Sequence, residues 1–333
     1  MRFLRYTCLL IALILWGGGL SSSLLHGLFK LGVVADDYRF GDLYRLSALP
    51  QFKQAPPDCS ASIRSSDTAS THLYLIGDSF SEPQRLSQSD FRVSHFQRVA
   101  WDYKQRVQLD PAKRNVLLIE SIERHVREHF ARPVNEFIVE ADTTRTHAPQ
   151  LPLKQRISNE FHRSDVEERL ETALFSRDWA FWFKELKASL TLNWFSRENA
   201  SVSLSNDHQH LFLRSDTDTS KTRLSSFAYI PDRDIDVFVD SLNRVAQRYR
   251  QLGFDAVYLS VIPNKASILD TTRGDYNHLI ERIQQHPGLR VPTIDTYQAF
   301  KNSPQSPYLK SDTHWNCEGR ARWLNLVRQK LQI

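Results

Sequence analysis

Three short, almost unbroken apolar runs set the strongest limit on what this chain can fold into. His72-Leu73-Tyr74-Leu75-Ile76 stops at Gly77, Asn115-Val116-Leu117-Leu118-Ile119-Glu120 stops at Ser121, and Ala256 to Ile262 stops at Pro263-Asn264-Lys265. Such runs are too short for buried helices and offer no polar face to water, so they read as strands covered on both sides. Helical patterns separate them. Ile235, Phe238, Val239, Leu242, Val245 and Tyr249 line one side of a helix that Asp232 is placed to cap and Gly253 to stop. Residues 276–285 read as another helix, 290–294 as a short strand and 318–331 as a closing helix. Glu82 to Ser89 is expected to begin a helix behind the first strand, and 91–99 is an ambiguous strand. This succession implies an α/β fold around a central, mainly parallel sheet.

The N-terminus sets the compartment. Tyr6 to Phe29 carries no charge and is flanked by Arg2, Arg5 and Lys30, and about 20 apolar residues cross a bilayer. The two arginines favour a cytoplasmic N-terminus. We therefore expect a single-pass membrane protein with an anchor over 1–32 and its C-terminal domain in the periplasm or another extracytoplasmic space. A cleaved signal peptide is the alternative, and it exports the same domain. Residues 33–70, with Pro50, Pro56 and Pro57, read as a stalk or linker, and 71–331 as the folded domain. Within it, about 131–226 reads as a helical insertion. Val166, Leu170, Leu174, Phe181, Leu186 and Leu190 suggest amphipathic helices, and Trp179, Trp182 and Trp194 are expected to pack on the main sheet, with sugar stacking or a membrane surface as alternatives. The polar tract Ser201 to Ser225 reads as a long loop.

With 333 residues, 41% of them hydrophobic and 24% charged, the chain can bury a full core. Its net charge of +5 is scattered among 38 acidic residues, and no zinc-finger spacing, basic helix or phosphate loop occurs, so nucleic acid is not an expected partner. Of three cysteines, Cys8 lies in the anchor. Cys59 and Cys317, in an oxidising compartment, either pair or stay free. Neither a metal nor a cofactor is expected, since no further cysteine and no closely spaced histidine pair completes a ligand set.

Two stretches carry chemistry. Gly77-Asp78-Ser79-Phe80 ends the first strand, where an open α/β sheet presents a nucleophile, and Asp312-Thr313-His314-Trp315-Asn316 precedes the last helix. A serine hydroxyl needs an imidazole to take its proton, and the imidazole needs a carboxylate to fix its tautomer. Ser79, His314 and Asp312 supply these three groups, with Trp315 as a pocket wall and Asn316 at the start of the final helix.

These two stretches resemble the SGNH hydrolase superfamily, and more narrowly the alginate O-acetyltransferase and DHHW-type group. Weaker likenesses are Glu120-Ser121-Ile122-Glu123-Arg124 and Pro263-Asn264-Lys265 after two further strands. The resemblance implies a three-layer, flavodoxin-like domain with Ser79 as nucleophile, His314 as base and Asp312 as its orienting partner. It further implies an exported O-acetyltransferase acting on an exopolysaccharide or surface glycan, with an acyl donor supplied by a membrane acyltransferase. A carbohydrate acetylesterase, or a non-catalytic glycan-binding or assembly protein, are the alternatives. The chain departs from the pattern in four ways, one being that Ser121 to Arg124 stand in place of the superfamily's Gly-x-Asn-Asp block. Its Asp-x-His follows the serine, unlike the alginate enzymes; the wider superfamily spaces these residues Asp-x-x-His; and no glycine lies between Gly77 and Gly253 to serve as the second-block oxyanion donor. Losing one such donor costs about 3 kcal/mol of transition-state stabilisation. The Ser79 N–H remains, with Asp78, Arg124, Lys265, Trp315 and Asn316 as further candidate substrate or oxyanion contacts.

Overall fold

The computed structural model describes residues 2–32, 34, 40–43, 46, 47, 49–55, 57, 59, 69–140, 152–160, 166, 170, 178–194 and 201–333. Its strands are β1 (Thr71–Gly77), β2 (His95–Ala100), β3 (Gln105–Val107), β4 (Arg114–Ile122), β5 (Phe137–Val139), β6 (Val202–Leu204), β7 (Leu211–Leu213), β8 (Ala256–Ile262) and β9 (Thr293–Ile294). Five of them form the central sheet in the order β2-β1-β4-β8-β9, and every pairing is parallel. Side chains alternate faces along a strand, yet nearly every residue of β1 and β4 is buried, so both faces of the sheet centre are covered. The apolar runs become central strands for that reason.

Register aligns the strand ends. Ile76 of β1 lies beside Val99 of β2 and Ile119 of β4, and Ile119 lies beside Leu259 of β8. The chain leaves β1 toward β2 on one side and returns to β4 on the other. That reversal makes the carboxyl ends of β1 and β4 the switch point, the place where open α/β sheets bind ligands.

The helix Asp232–Gln251 buries the apolar side that its sequence spacing defines and packs on β8. Pro231 occupies the cap position and Asp232 opens the first turn, so the aspartate acts through the helix dipole rather than as a cap. Gly253 ends the helix with φ 107°, a conformation that favours glycine. Cys317–Leu331 closes the chain.

Other expectations need correction. Glu82 to Ser89 forms no α-helix; 3₁₀ turns occur at Ser79–Ser81 and Gln88–Asp90. Pro83 explains this, because it forces the preceding Glu82 into an extended conformation, observed at ψ 155°. The tract 201–225 is no loop: β6 and β7 pair antiparallel, and Ser203, Ser205, Asp216, Thr217 and Ser225 are buried. Its hydroxyls satisfy one another, as in the 2.9 Å bond between Ser203 Oγ and Thr217 Oγ1. In the insertion, helices run over Leu153–Glu160 and Asp178–Ser189, and Val166 and Leu170 are helical. Leu174 and the side chains of Trp179 and Phe181 lie outside the described residues. Trp182 and Trp194 are 59% and 78% exposed, so they do not pack on the sheet.

The N-terminal apolar stretch is two helices, Arg2–Leu20 and Ser22–Lys30, because Ser21 accepts a hydrogen bond from Leu24 N and starts the second. The segment Phe3–Leu20 is long and apolar enough to cross a membrane. The presumed stalk does not hang free: its Leu43, Leu46, Leu49 and Phe52 form a second small core with Ala188, Val202, Leu204 and Leu211. Cys59 is bonded to Cys317 at the head of the last helix.

Candidate active site

Ser79 sits two residues beyond the end of β1, on a turn whose first residue, Gly77, has no room for a side chain. A Cβ on Gly77 would run into Ser81 Oγ and Glu120 Oε2. Glu120, buried in β4, accepts the Asp78 N–H at 2.9 Å, while Asp78 Oδ2 accepts the Ile122 N–H at 2.7 Å. These crossed bonds tie the ends of β1 and β4 together. Arg98 of β2 adds two more, donating to the carbonyls of Gly77 and Asp78 at 3.0 and 2.7 Å. Ser79 is half-buried, and its N–H donates to no protein group among the described residues.

The opposite wall is the loop Pro307 to Asn316. Tyr308 and Trp315 pair across it, Leu309 N donates to His314 O at 3.2 Å, and Asn316 N donates to Pro307 O at 2.9 Å. Asn316 then caps the last helix, its side-chain oxygen accepting Gly319 N at 3.0 Å. So braced, the loop holds His314 Nε2 2.7 Å from Ser79 Oγ and His314 Nδ1 2.6 Å from Asp312 Oδ1. The three residues selected from sequence thus form one continuous relay. Phe80 packs on the imidazole with ring centroids 4.7 Å apart, and Trp315 meets Phe80 edge-on.

One member was not anticipated. Asp42, from the segment expected to be a stalk, places Oδ2 3.3 Å from His314 Nδ1, accepts Thr313 N at 2.6 Å, and donates its own N–H to Asp312 Oδ2 at 3.2 Å. Gly41, at φ 105°, lets the backbone press against Ser311 where a Cβ would clash. The apolar residues Leu43, Leu46, Leu49 and Phe52, spaced three apart, signal that this segment docks, but nothing local marks Asp42 itself.

Comparison with known protein families, curated proteins and solved structures finds no match.

Electrostatics reflect burial and pairing. Burial and the nearby Arg85 oppose a charged His314, but Asp312 and Asp42 outweigh them and hold its pKa above the ordinary histidine value. Burial likewise works against Asp312, yet the imidazole and its hydrogen bonds keep the carboxyl below its usual range. Asp78 is pushed up to about 6 by burial, against the pull of the Ile122 N–H and Arg124.

The other candidates occupy supporting places. Arg124 is buried and held by Asp216 Oδ2 at 3.2 Å and Asn264 Oδ1 at 3.4 Å, with no hydrogen bond to Ser79. Lys265, 2% exposed, donates to the carbonyls of Lys310 and Asp312 at 2.7 and 3.2 Å, so it braces the histidine loop. Burial drives it down to about 7, with Asp312 and Asp42 pulling the other way. No glycine follows β2. Asp102 takes the left-handed turn there with φ 71°. Sequence reading overlooked one spacing: His125 and His129 are four residues apart, and with Asp78 their ligand atoms lie within 4.8 Å of one another.

Proposed function

We propose that this chain is a membrane-anchored, exported serine acyltransferase of SGNH type that moves O-acetyl groups on a surface polysaccharide. The observation that carries the reading is the unbroken relay from Ser79 Oγ through His314 to Asp312, with separations of 2.7 and 2.6 Å, at the carboxyl end of β1. Chemically, neutral His314 takes the Ser79 proton at Nε2 as Oγ attacks an ester carbonyl. Asp312 and Asp42 stabilise the resulting imidazolium. The tetrahedral oxyanion lies where the free Ser79 N–H can donate to it. Collapse breaks the ester C–O bond, and His314 returns its proton to the leaving alcohol. A sugar hydroxyl, deprotonated by the same nitrogen, then takes the acetyl group from Ser79; water in its place gives the esterase reaction.

Polysaccharide and acetyl specificity and a membrane-bound acyl donor rest on the resemblance of the Gly77–Phe80 and Asp312–Asn316 stretches, and membrane anchoring on the segment Phe3–Leu20. The test is full-length protein in detergent with an aryl acetate, with and without an acetylatable oligosaccharide. Wild type should release phenol and label at Ser79 with an active-serine phosphonate, whereas Ser79→Ala should lose both, its kcat/KM falling at least ~10³-fold. Equal turnover by a folded Ser79→Ala protein, or absence of labelling in wild type, would reject the proposal. Acetylated oligosaccharide as product separates transfer from hydrolysis.

A further inference from the structure

Behind the nucleophile turn lies a second cluster that the relay does not use. Asp78, His125 and His129 have ligand atoms within 4.8 Å of one another. The histidines are four residues apart, a spacing that puts both on one side of the short helical segment running from Glu123 to His129.

Asp78 and His129 are each oriented by a bond made elsewhere. Asp78 spends Oδ2 on the Ile122 N–H at 2.7 Å, which leaves Oδ1. His129 Nδ1 lies 2.8 Å from Ser121 Oγ, whose hydroxyl is donated to Ile122 O at 3.2 Å. In the tautomer that binds a metal, the ring donates Nδ1–H to that oxygen and Nε2 keeps an unshared pair. Trp101 stacks on the imidazole, centroids 3.9 Å apart and planes 10° from parallel, and is itself tied to Glu120 O through Nε1 at 2.8 Å. This is the outer bonding that fixes tautomer and ring plane in metal-binding histidines.

In that tautomer two acceptors face each other: His129 Nε2 and Asp78 Oδ1 stand 3.7 Å apart. That is beyond hydrogen-bond range. Neighbouring Arg124 is already paired with Asp216. In a tetrahedral zinc site, ligand atoms lie about 3.3 Å apart, so the observed pair closes by a few tenths of an ångström. The other grouping of this kind, Asp42, Asp312 and His314, differs because a hydrogen bond of 2.6 Å already joins its imidazole to a carboxylate.

We propose that Asp78, His125 and His129 bind one borderline divalent cation, zinc-like in preference, beside the Ser79 turn. Two imidazoles and one carboxylate suit such a cation, and three protein ligands leave a position open for water or a substrate oxygen. The site stands whether or not Ser79 is acylated.

Cobalt(II) tests it directly. Chelator-stripped full-length protein in detergent should bind one equivalent of Co²⁺ with visible d–d absorption, which Zn²⁺ displaces. His125→Ala and His129→Ala should each weaken Zn²⁺ binding at least ~10-fold, while His314→Ala retains it. Zn²⁺ should also raise the melting temperature of wild type but not of His125→Ala, the more exposed histidine, whose replacement leaves the core intact. The proposal fails if wild type takes up no stoichiometric metal, if the His125/His129 double variant binds as wild type does, or if binding is lost in His314→Ala.

Discussion

His314 is held by two carboxylates rather than one, and they differ in origin. Asp312 lies two residues away in the same loop, whereas Asp42 stands 270 positions before Asp312, just beyond the N-terminal helices. Both raise the proton affinity of the imidazole, and the proposed reaction needs the imidazole neutral. Activity should therefore rise as pH climbs through the raised His314 pKa. Asp42→Asn removes one negative neighbour, so the acidic limb of kcat/KM should move to lower pH, with a fall of about 10-fold at the plateau as the Thr313 contacts weaken. A pH-rate profile checks this, and an unmoved limb would mean that Asp42 does not influence the base. Ser79, His314 and Asp312 are legible in sequence because serine at a strand end and Asp-x-His before a helix are local patterns. Asp42 is not, since the spacing of Leu43, Leu46, Leu49 and Phe52 shows a face to be buried but not where that face docks.

At the level of elements, the strands are the most legible. Burial on both faces leaves an uninterrupted apolar signature, and Ala256 to Ile262 matches β8 residue for residue. The turn regions are the least legible, because hydrogen bonding decides them. Pro83 breaks the helix that its neighbours suggest, and the serine-rich tract 201–225 hides a hairpin whose hydroxyls are paired internally. The last helix shows how an element places a site. Asn316 caps it and also donates to Ser306 O at 2.6 Å, fixing the end of the loop that carries His314. Asn316→Ala should cost about 1–2 kcal/mol. Calorimetry should show a melting temperature lower by about 2–6 °C, and an unchanged value would assign the loop's rigidity to Lys265 instead.

Across the whole molecule, three regions distant in sequence meet at one place: the segment after the N-terminal helices, the carboxyl end of β1, and the loop before the final helix. The Cys59–Cys317 bond, 258 residues apart in sequence, joins the first of these regions to the third. Composition leaves the pairing open, since it depends on where the chain before β1 runs. Replacing both cysteines by serine should destabilise the fold by about 2–5 kcal/mol, and lower the melting temperature by about 5–15 °C. Cys8→Ser, remote from the core, should leave it unchanged; equal melting of all forms would show the bond to be dispensable.

That bond also changes what the chain is as a covalent object. From Cys59 to Cys317 it is a closed ring, carrying Ser79, Asp312 and His314 on its circumference, with the apolar helix and Asp42 on a tail outside it. One backbone cut anywhere in the ring leaves a single covalent piece, still attached to whatever holds the N-terminus. One cut on the tail, between Asp42 and Cys59, detaches the ring with its serine and histidine and strands the second carboxylate on the other fragment.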